Sequence, residues 1–223
     1  MDNQQQNQVV PSNLGAPFLI IPNALPPAFL AEVQDYVEQF GEKEHGRVGV
    51  MPKDPNMSQE EKDMLSFKEE IRSCDISWIG PKDERSQAIY QQIDSMLVEA
   101  ARNYFGFDVF VGGTEAIQYT EYNFKEEKEV KDHYGWHMDS MLQGMGKSDR
   151  KLSFTIQLTH HADYTGCDFE FPNSEGDDQW DRDLVRTKGT AIIFPSFMTH
   201  RVTPITGGTR KSLVGWLRGP LFR

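Results

Sequence analysis

A histidine and an aspartate stand two positions apart in the stretch YGWHMDS, residues 134–140. In an extended chain, side chains at positions i and i+2 point to the same face, so His137 and Asp139 could hold one metal ion together. An imidazole and a carboxylate also form ordinary buried hydrogen-bonded pairs. A third ligand from another segment is what would distinguish a metal site from such a pair.

Four histidines compete for the position of third ligand: His133, His160, His161 and His200. We favour His200, because it follows a buried-looking strand and because Arg210 comes ten residues later, at the head of another apolar strand. Two histidines and one carboxylate on one face of an octahedral ion leave three positions open, as in non-haem iron(II) oxygenases. Zinc accepts the same ligands, so the three ligands alone do not identify the metal. The preference for iron over zinc depends largely on Arg210.

Arg210 is the part of this pattern that suggests a cosubstrate. A 2-oxo acid with a distal carboxylate could occupy two of the open metal positions and would need an anchor at its other end. A planar guanidinium matches a carboxylate in a two-pronged pair. A metal-binding barrel without turnover would have no use for a cation at this place, so the pattern favours an oxygenase over a binding module.

The composition limits the class of protein. The chain has 223 residues, a length that suits one domain with a sizeable core, and a formal net charge of −11 with no cluster of Lys and Arg. We therefore expect no nucleic-acid partner, because binding phosphates needs a basic surface. No apolar run is long enough to span a bilayer, and the first residues lack a secretory signal, so we expect no membrane association and a cytoplasmic location.

Patterning predicts how the chain is organised. We expect a disordered tail over residues 1–14 and a single domain over 15–223, with helical support over 24–105 and a β core over 108–223. Predicted helices begin at Pro26-Pro27, at Ser58 and at Glu84, the last ending at Tyr104; residues 41–56 are predicted to be a loop. Predicted strands are PFLIIPNAL, CDISWI, DVFV, EAIQYTEY, KLSFTIQL, CDFEF, TAIIF and SLVGWL.

The C-terminal half resembles the 2-oxoglutarate- and iron(II)-dependent dioxygenases, in particular the prolyl-4-hydroxylase-like branch. The stretches that carry the resemblance are YGWHMDS, RKLSFTIQL, DYTGCDFEF and FPSFMTHRVTPITGGTRKSLVGWLRGP, and PFLIIPNALPPAFLAEVQDYV resembles that branch's usual beginning. The resemblance implies a mainly β fold with N-terminal helices, whose core is a double-stranded β-helix (a jelly-roll, cupin-like barrel) supported by α-helices. It also implies iron(II), with 2-oxoglutarate and O2 as cosubstrates, and allows ascorbate as a further cofactor.

The resemblance assigns roles to eight residues. His137, Asp139 and His200 would be the catalytic iron ligands, and Arg210 would anchor the distal carboxylate of 2-oxoglutarate. Four further residues would surround the cosubstrate. They are Tyr122, which faces it from the preceding strand; Tyr134, which lines the site; Val202, an apolar wall; and Gln157, which stands where some relatives have a tyrosine.

The function implied by the resemblance is hydroxylation of a C–H bond coupled to decarboxylation of 2-oxoglutarate. The favoured substrate is a prolyl or other residue in a peptide or protein. A free amino acid or small metabolite is the alternative within the same class. A non-catalytic cupin-type module that binds a metal or ligand is the alternative from a different class.

Overall fold

The computed structural model describes residues 10–11, 18–46, 58, 60, 70–140, 148–172 and 181–222. The α-helices with both ends among them are α1 (Pro27–Phe40), α2 (Glu84–Ala100) and α3 (Arg182–Arg186), and Glu60 is also helical. The strands are β1 (Val10–Pro11), β2 (Leu19–Ile21), β3 (Lys43–His45), β4 (Arg72–Ser73), β5 (Asp75–Ile79), β6 (Ile117–Asn123), β7 (His133–His137), β8 (Ser148–Gln157), β9 (Tyr164–Gly166), β10 (Phe169–Glu170), β11 (Ala191–Pro195), β12 (His200–Val202) and β13 (Ile205–Pro220).

Two antiparallel sheets form the β core. The major sheet has the order β1-β2-β11-β8-β13-β6-β5-β3, with β9 paired to β13, and the minor sheet has the order β10-β12-β7-β4. One apolar cluster lies between the helices and the major sheet, where Val33, Ile93 and Leu97 meet Ile117 and Leu213. A second cluster joins residues of the two sheets, including Phe169, Phe194 and Val202.

Local signals explain where the two long helices begin. Pro26 and Pro27 open α1, and Leu30, Val33 and Tyr36, which follow one another at helical spacing, lie in the core. At α2, the Asp83 carboxylate accepts a hydrogen bond from the Ser86 amide (2.9 Å), and the Ser86 hydroxyl bonds back to the Asp83 amide. Such reciprocal capping satisfies two amides that the first turn leaves unpaired. The predicted helix from Glu84 to Tyr104 is confirmed, and its last turn, Ala101–Phe105, is a π-helix.

Two predictions of local structure were wrong. Residues Lys43–His45 form the edge strand β3 against β5, although the charged segment around them has no strand periodicity. Residues 108–111, predicted as a strand, have no regular structure there. Residues Lys43–His45 become a strand because they pair with β5, and residues 108–111 do not because they join no strand. Strand pairing therefore outweighs the local alternation of residues.

Several predictions lie wholly or partly outside the described residues. The helix predicted from Ser58 is one of them, although Arg72 and Ser73 at its far end belong to strand β4. Of the tail predicted over residues 1–14, Val10 and Pro11 pair with β2. Within the described part of the chain, none of the helices is long and apolar enough to cross a membrane.

A glycine controls how closely β9 approaches β13. Gly208 has a φ of 71°, and a Cβ built on it would overlap the carbonyl oxygen of Asp163, just before β9. Gly106 has a similar φ of 67°, but a Cβ there would meet nothing within 4 Å. Alanine at Gly106 would cost stability only through the left-handed backbone. Alanine at Gly208 would add the cost of a steric overlap.

We predict that Gly106→Ala lowers the free energy of unfolding by about 1 kcal/mol and Gly208→Ala by about 3 kcal/mol, since only the second also forces β9 away. Urea denaturation of both variants measures the difference. Equal losses would mean that the contact between Gly208 and Asp163 is relieved at no cost, and that the approach of β9 does not depend on this glycine.

Candidate metal centre

Three side chains from two segments converge at one end of the minor sheet. His137 is the last residue of β7 and lies directly opposite His200, the first residue of β12. Beyond β7 the chain is held by hydrogen bonds from the Asp139 and Ser140 amides to the Ser196 carbonyl (2.9 and 2.8 Å). One potential ligand atom from each of His137, Asp139 and His200 lies within 4.8 Å of the others.

Hydrogen bonds orient both imidazoles toward this point. Nδ1 of His137 lies 2.8 Å from the Gly135 carbonyl oxygen, and Nδ1 of His200 lies 2.9 Å from the Met198 carbonyl oxygen. A carbonyl only accepts, so each Nδ1 carries a proton, and in the neutral tautomer Nε2 is the nitrogen that offers a lone pair to a metal. The two Nε2 atoms lie 3.7 and 3.5 Å from the oxygens of Asp139.

Asp139 is held from the major sheet as well. The Ser153 hydroxyl on β8 donates to Asp139 Oδ2 (2.7 Å) and lies 2.9 Å from the Ser196 hydroxyl. This contact joins the two sheets at the centre and fixes the carboxylate, as hydrogen bonds around metal ligands commonly do.

The electrostatics of the centre favour the protonation states that bind a metal. Burial and the neighbouring His200 lower the pKa of His137 to about 4, so its imidazole is neutral at pH 7. Burial by itself would raise the pKa of Asp139, but the two imidazoles and the Ser153 hydroxyl hold this pKa below its ordinary value. A neutral His137 imidazole and an ionised Asp139 carboxylate fit a divalent first-row metal, and three ligands on one side leave room for other ligands.

Arg210 is the second feature of the site. It lies on β13 opposite Tyr122 of β6, is 1% exposed, and donates from Nε to Gln157 Oε1 (3.0 Å). Its Nη2 is buried, and among the described residues it has no hydrogen-bond partner. A buried charge with an unused donor is costly unless an anion pairs with it, so this geometry fits a carboxylate ligand.

The sheet face around Arg210 is polar and incompletely hydrogen-bonded. Ser212 is two residues from Arg210 on β13, and it lies opposite Thr120 on β6 and Gln157 on β8. Strand alternation places all of them, and Thr155, on one face. The hydroxyls of Thr120, Thr155 and Ser212 are buried without a partner in the described part of the chain. Buried polar atoms are normally paired, so this surface fits a polar ligand or ordered water.

Strand β8 connects this polar face to the metal centre. Its alternate residues Gln157, Thr155 and Ser153 lie on the same face; Gln157 contacts Arg210, and Ser153 contacts Asp139. A molecule bound along this face could therefore meet the cation at one end and the metal ligands at the other.

The remaining predicted site residues are all at or near this centre. The Tyr134 ring stacks on the His137 ring with centroids 3.5 Å apart, and Val202 pairs with Tyr134. Tyr122 is buried, with the Arg210 guanidinium 5.6 Å from its ring centre. Gln157 holds Arg210.

The other histidines considered as ligands lie elsewhere. The ring of His133 contacts the carbonyl oxygens of Lys131 and Glu70, and His160 and His161 are exposed at a 3-10 turn. Within the described residues, His137, Asp139 and His200 form the only group of three that could hold a metal.

Sequence reasoning missed two buried side chains near the site. Arg72 on β4 lies with its guanidinium 4.7 Å from the centre of the Tyr134 ring and donates to Gln118 (3.0 Å). Tyr164 on β9 is 3% exposed and belongs to the apolar cluster between the sheets. Neither had a sequence signal, because short strands far away in the chain place them.

Residues 117–218 match the family described as the 2OG-Fe(II) oxygenase superfamily. The chain contains a 2OG-Fe(II) oxygenase domain. All three metal-binding side chains and Arg210 lie within the matched residues. The family's name implies iron(II) and 2-oxoglutarate, and the ligand set and the buried guanidinium fit both.

Curated relatives match part of this chain. A PKHD-type hydroxylase of Synechococcus is 37% identical over 89 residues, which are 40% of this chain and 37% of that protein. A PKHD-type hydroxylase of Prochlorococcus marinus is 41% identical over 87 residues, 38% of this chain and 36% of the relative. The matched stretch thus spans little more than a third of each relative.

Solved structures share the fold across almost the whole chain. A prolyl hydroxylase from Trichoplax adhaerens, in complex with a hypoxia inducible factor oxygen degradation domain peptide fragment, has a TM-score of 0.60 at 18% identity. It covers 91% of this chain and 84% of its own. A viral collagen prolyl hydroxylase from Paramecium Bursaria Chlorella virus-1 has a TM-score of 0.59 at 15% identity, covering 92% and 97%. The predicted double-stranded β-helix with supporting helices is confirmed.

Proposed function

We propose that this chain is an iron(II)- and 2-oxoglutarate-dependent hydroxylase. In the reaction, 2-oxoglutarate and O2 yield succinate and CO2, one oxygen atom of O2 enters succinate, and the other becomes the hydroxyl group of the product. The observation that carries the proposal is the buried Arg210 guanidinium with an unpaired Nη2, on a polar face that leads to His137, Asp139 and His200.

Iron(II) bound by these three ligands would supply the activation of O2 and the oxidation of the cosubstrate. The chain supplies position and environment. Arg210 would pair with the distal carboxylate, while Ser153 holds Asp139 in place. The apolar cluster that contains Phe169, Phe194 and Val202 would limit water around the reacting atoms.

A prolyl or other residue in a peptide or protein is the substrate class we propose first. The support is that curated relatives are named PKHD-type hydroxylases, and that one prolyl hydroxylase of similar fold is described in complex with a peptide fragment. A free amino acid or small metabolite is the alternative substrate class. A cupin-type binding module without turnover is the alternative function, and the unpaired Nη2 of Arg210 argues against it.

The proposed activity predicts two signals. Anaerobic protein with iron(II) and 2-oxoglutarate should develop the weak visible charge-transfer band of a chelated 2-oxo acid. In air, the same mixture should form succinate slowly even without a substrate. The Asp139→Ala variant is the matched negative control for both. An absent band together with no succinate from the wild-type protein would rule out the oxygenase and favour the binding module.

Mass spectrometry then separates the substrate classes. Peptide and metabolite pools are incubated with the wild-type protein or the Asp139→Ala variant, and products heavier by one oxygen atom are sought. A product at proline that disappears when this proline is replaced by alanine supports the prolyl substrate. Products among free metabolites alone would overturn it.

A further inference from the structure

Strand β4 and the residue before it contact the two neighbours of His137 that lie on β7. Arg72 pairs with Tyr134 across the two strands, and the Gly135 amide donates to the Ile71 carbonyl oxygen (2.7 Å). The Gly135 carbonyl oxygen in turn accepts from Nδ1 of His137 (2.8 Å). The backbone beside β4 therefore holds the residue that orients this imidazole.

A stack of three side chains leads from β4 to the His137 ring. The Arg72 guanidinium lies 4.7 Å from the centre of the Tyr134 ring. The Tyr134 ring stacks on the His137 imidazole, with centroids 3.5 Å apart and ring planes inclined by 15°. A guanidinium is attracted to an aromatic ring, more strongly in the interior than at the surface. Because Arg72 is buried, it should hold the Tyr134 ring in place, and this ring in turn should limit rotation of the imidazole.

The Arg72 guanidinium is itself fixed by other contacts. Its Nε donates to Cys74 Sγ (3.2 Å), and its Nη2 donates to Gln118 Oε1 on β6 (3.0 Å). Gly46 packs against both residues of this pair, because a Cβ built on it would lie 3.0 Å from Arg72 Nε and 2.6 Å from Cys74 Sγ. The guanidinium therefore has little freedom to move away from the Tyr134 ring.

A separate polar cluster holds β4 beside β7. The Ser73 hydroxyl donates to Asp132 Oδ1 (2.8 Å), and the Lys128 ammonium donates to the same hydroxyl and the same carboxylate (2.6 and 2.9 Å). Asp132 Oδ2 also accepts from the Asn123 amide (2.8 Å). Since this cluster does not involve Arg72, replacing Arg72 should leave the strand in place.

We propose that Arg72 is a positioning residue for the metal site. Its guanidinium holds the Tyr134 ring against His137, and the stack fixes the imidazole orientation that places Nε2 3.7 Å from Asp139. Arg72 thus acts on the metal ligand through Tyr134. This inference rests on the proposed function, because it assumes that iron(II) binds at His137.

The test is a double-mutant cycle on the affinity for iron(II), measured by anaerobic competition with a chelator. Arg72→Met and Tyr134→Leu should each lower this affinity about tenfold, a typical effect of losing a group that orients a metal ligand. In the double variant the loss should stay about tenfold, because Arg72 acts only through the Tyr134 ring. Losses that multiply to about 100-fold would overturn the proposal.

Three further variants show which property of each side chain matters. Tyr134→Phe keeps the stacked ring, so it should bind iron(II) within about twofold of the wild type. Arg72→Lys keeps the charge but loses the planar group, so its affinity should fall, and it replaces Arg72→Met in the cycle if that variant does not fold. Arg85→Met is the matched control, because the Arg85 guanidinium also lies near a tyrosine ring, that of Tyr36 (5.6 Å), at the helices. It should bind iron(II) like the wild type.

Cobalt(II) in place of iron(II) provides a spectroscopic measure of the two ligand histidines. The Nδ1 protons of two imidazoles bound to cobalt(II) give separate NMR signals that the unpaired electrons shift strongly. In Arg72→Met, the signal of His137 should move, while that of His200 should stay near its wild-type position. Movement of both signals or of neither would overturn the proposal.

The outcomes separate this inference from the function on which it rests. A wild-type protein that does not bind iron(II) would overturn the proposed function, and this inference with it. Normal binding by the wild type, with unchanged affinity in Arg72→Met and Arg72→Lys, would overturn only the role of Arg72.

Discussion

Replacing Asp139 by alanine is expected to lower the affinity for iron(II) by at least about 100-fold, because loss of a group that merely supports a ligand already costs about 10–100-fold. Asp139 provides the one carboxylate of the group and lies 3.5–3.7 Å from both Nε2 atoms. Two imidazoles would remain, without a negative charge to balance the ion. Metal affinity measured by anaerobic competition with a chelator, together with loss of the visible band, tests this expectation.

Two companion variants sharpen this test. Ser153→Ala removes the hydroxyl that holds Asp139 Oδ2 and should cause a smaller loss of affinity, about tenfold. Asp35→Ala removes an exposed carboxylate that pairs with Arg85 at helix α1, and it should not change iron binding. If Asp139→Ala retained the wild-type affinity for iron(II), the ion would not bind at these three side chains. The proposed function would then have no metal site.

Arg210→Met is expected to weaken the binding of 2-oxoglutarate without lowering the free energy of unfolding. The affinity for 2-oxoglutarate should fall by about 100-fold or more, the effect of losing a buried charge pair of about 3 kcal/mol. Without 2-oxoglutarate, the free energy of unfolding should stay the same or rise, because methionine removes a buried charge whose Nη2 has no partner in the described residues. Titration of the visible band and urea denaturation without cosubstrate measure the two quantities.

Arg218→Met is the matched control for this experiment. Arg218 lies on the same strand, β13, where it pairs with Glu115 (2.7 Å). Its loss should lower stability and leave the affinity for 2-oxoglutarate unchanged, the reverse of the result for Arg210. A large loss of stability in Arg210→Met, with equal losses of iron and 2-oxoglutarate affinity, would assign Arg210 a structural role instead.

Comparison of these two arginines shows that the site lowers the stability of the fold in the absence of a ligand. Arg218 is satisfied by the protein itself, whereas Arg210 and the hydroxyls of Thr120, Thr155 and Ser212 keep unused hydrogen-bonding atoms in the interior. Such atoms lower stability unless a ligand or water pairs with them. Binding of the cosubstrate is therefore expected to stabilise the folded chain.

Much of the site could be predicted from the chain's residues. The spacing of His137 and Asp139 places both side chains near one point, because alternate residues of an extended segment share a face. Proline and capping signals likewise placed the starts of α1 and α2. Arg210, ten residues after His200, is a candidate anchor because its guanidinium matches a carboxylate, and this role stays a prediction. The shared face of His137 and Asp139 and the starts of the helices could be predicted because they depend on periods of a few residues.

Other parts depend on contacts between distant segments. The pairing of His200 with His137 joins strands more than sixty residues apart, β4 brings Arg72 against Tyr134, and β9 brings Tyr164 toward Arg210. Strand β3 and the irregular residues 108–111 differ from prediction for the same reason. Local alternation sets which face a side chain occupies, but only the packed sheets decide which strands become neighbours and which buried polar atoms are left for a ligand.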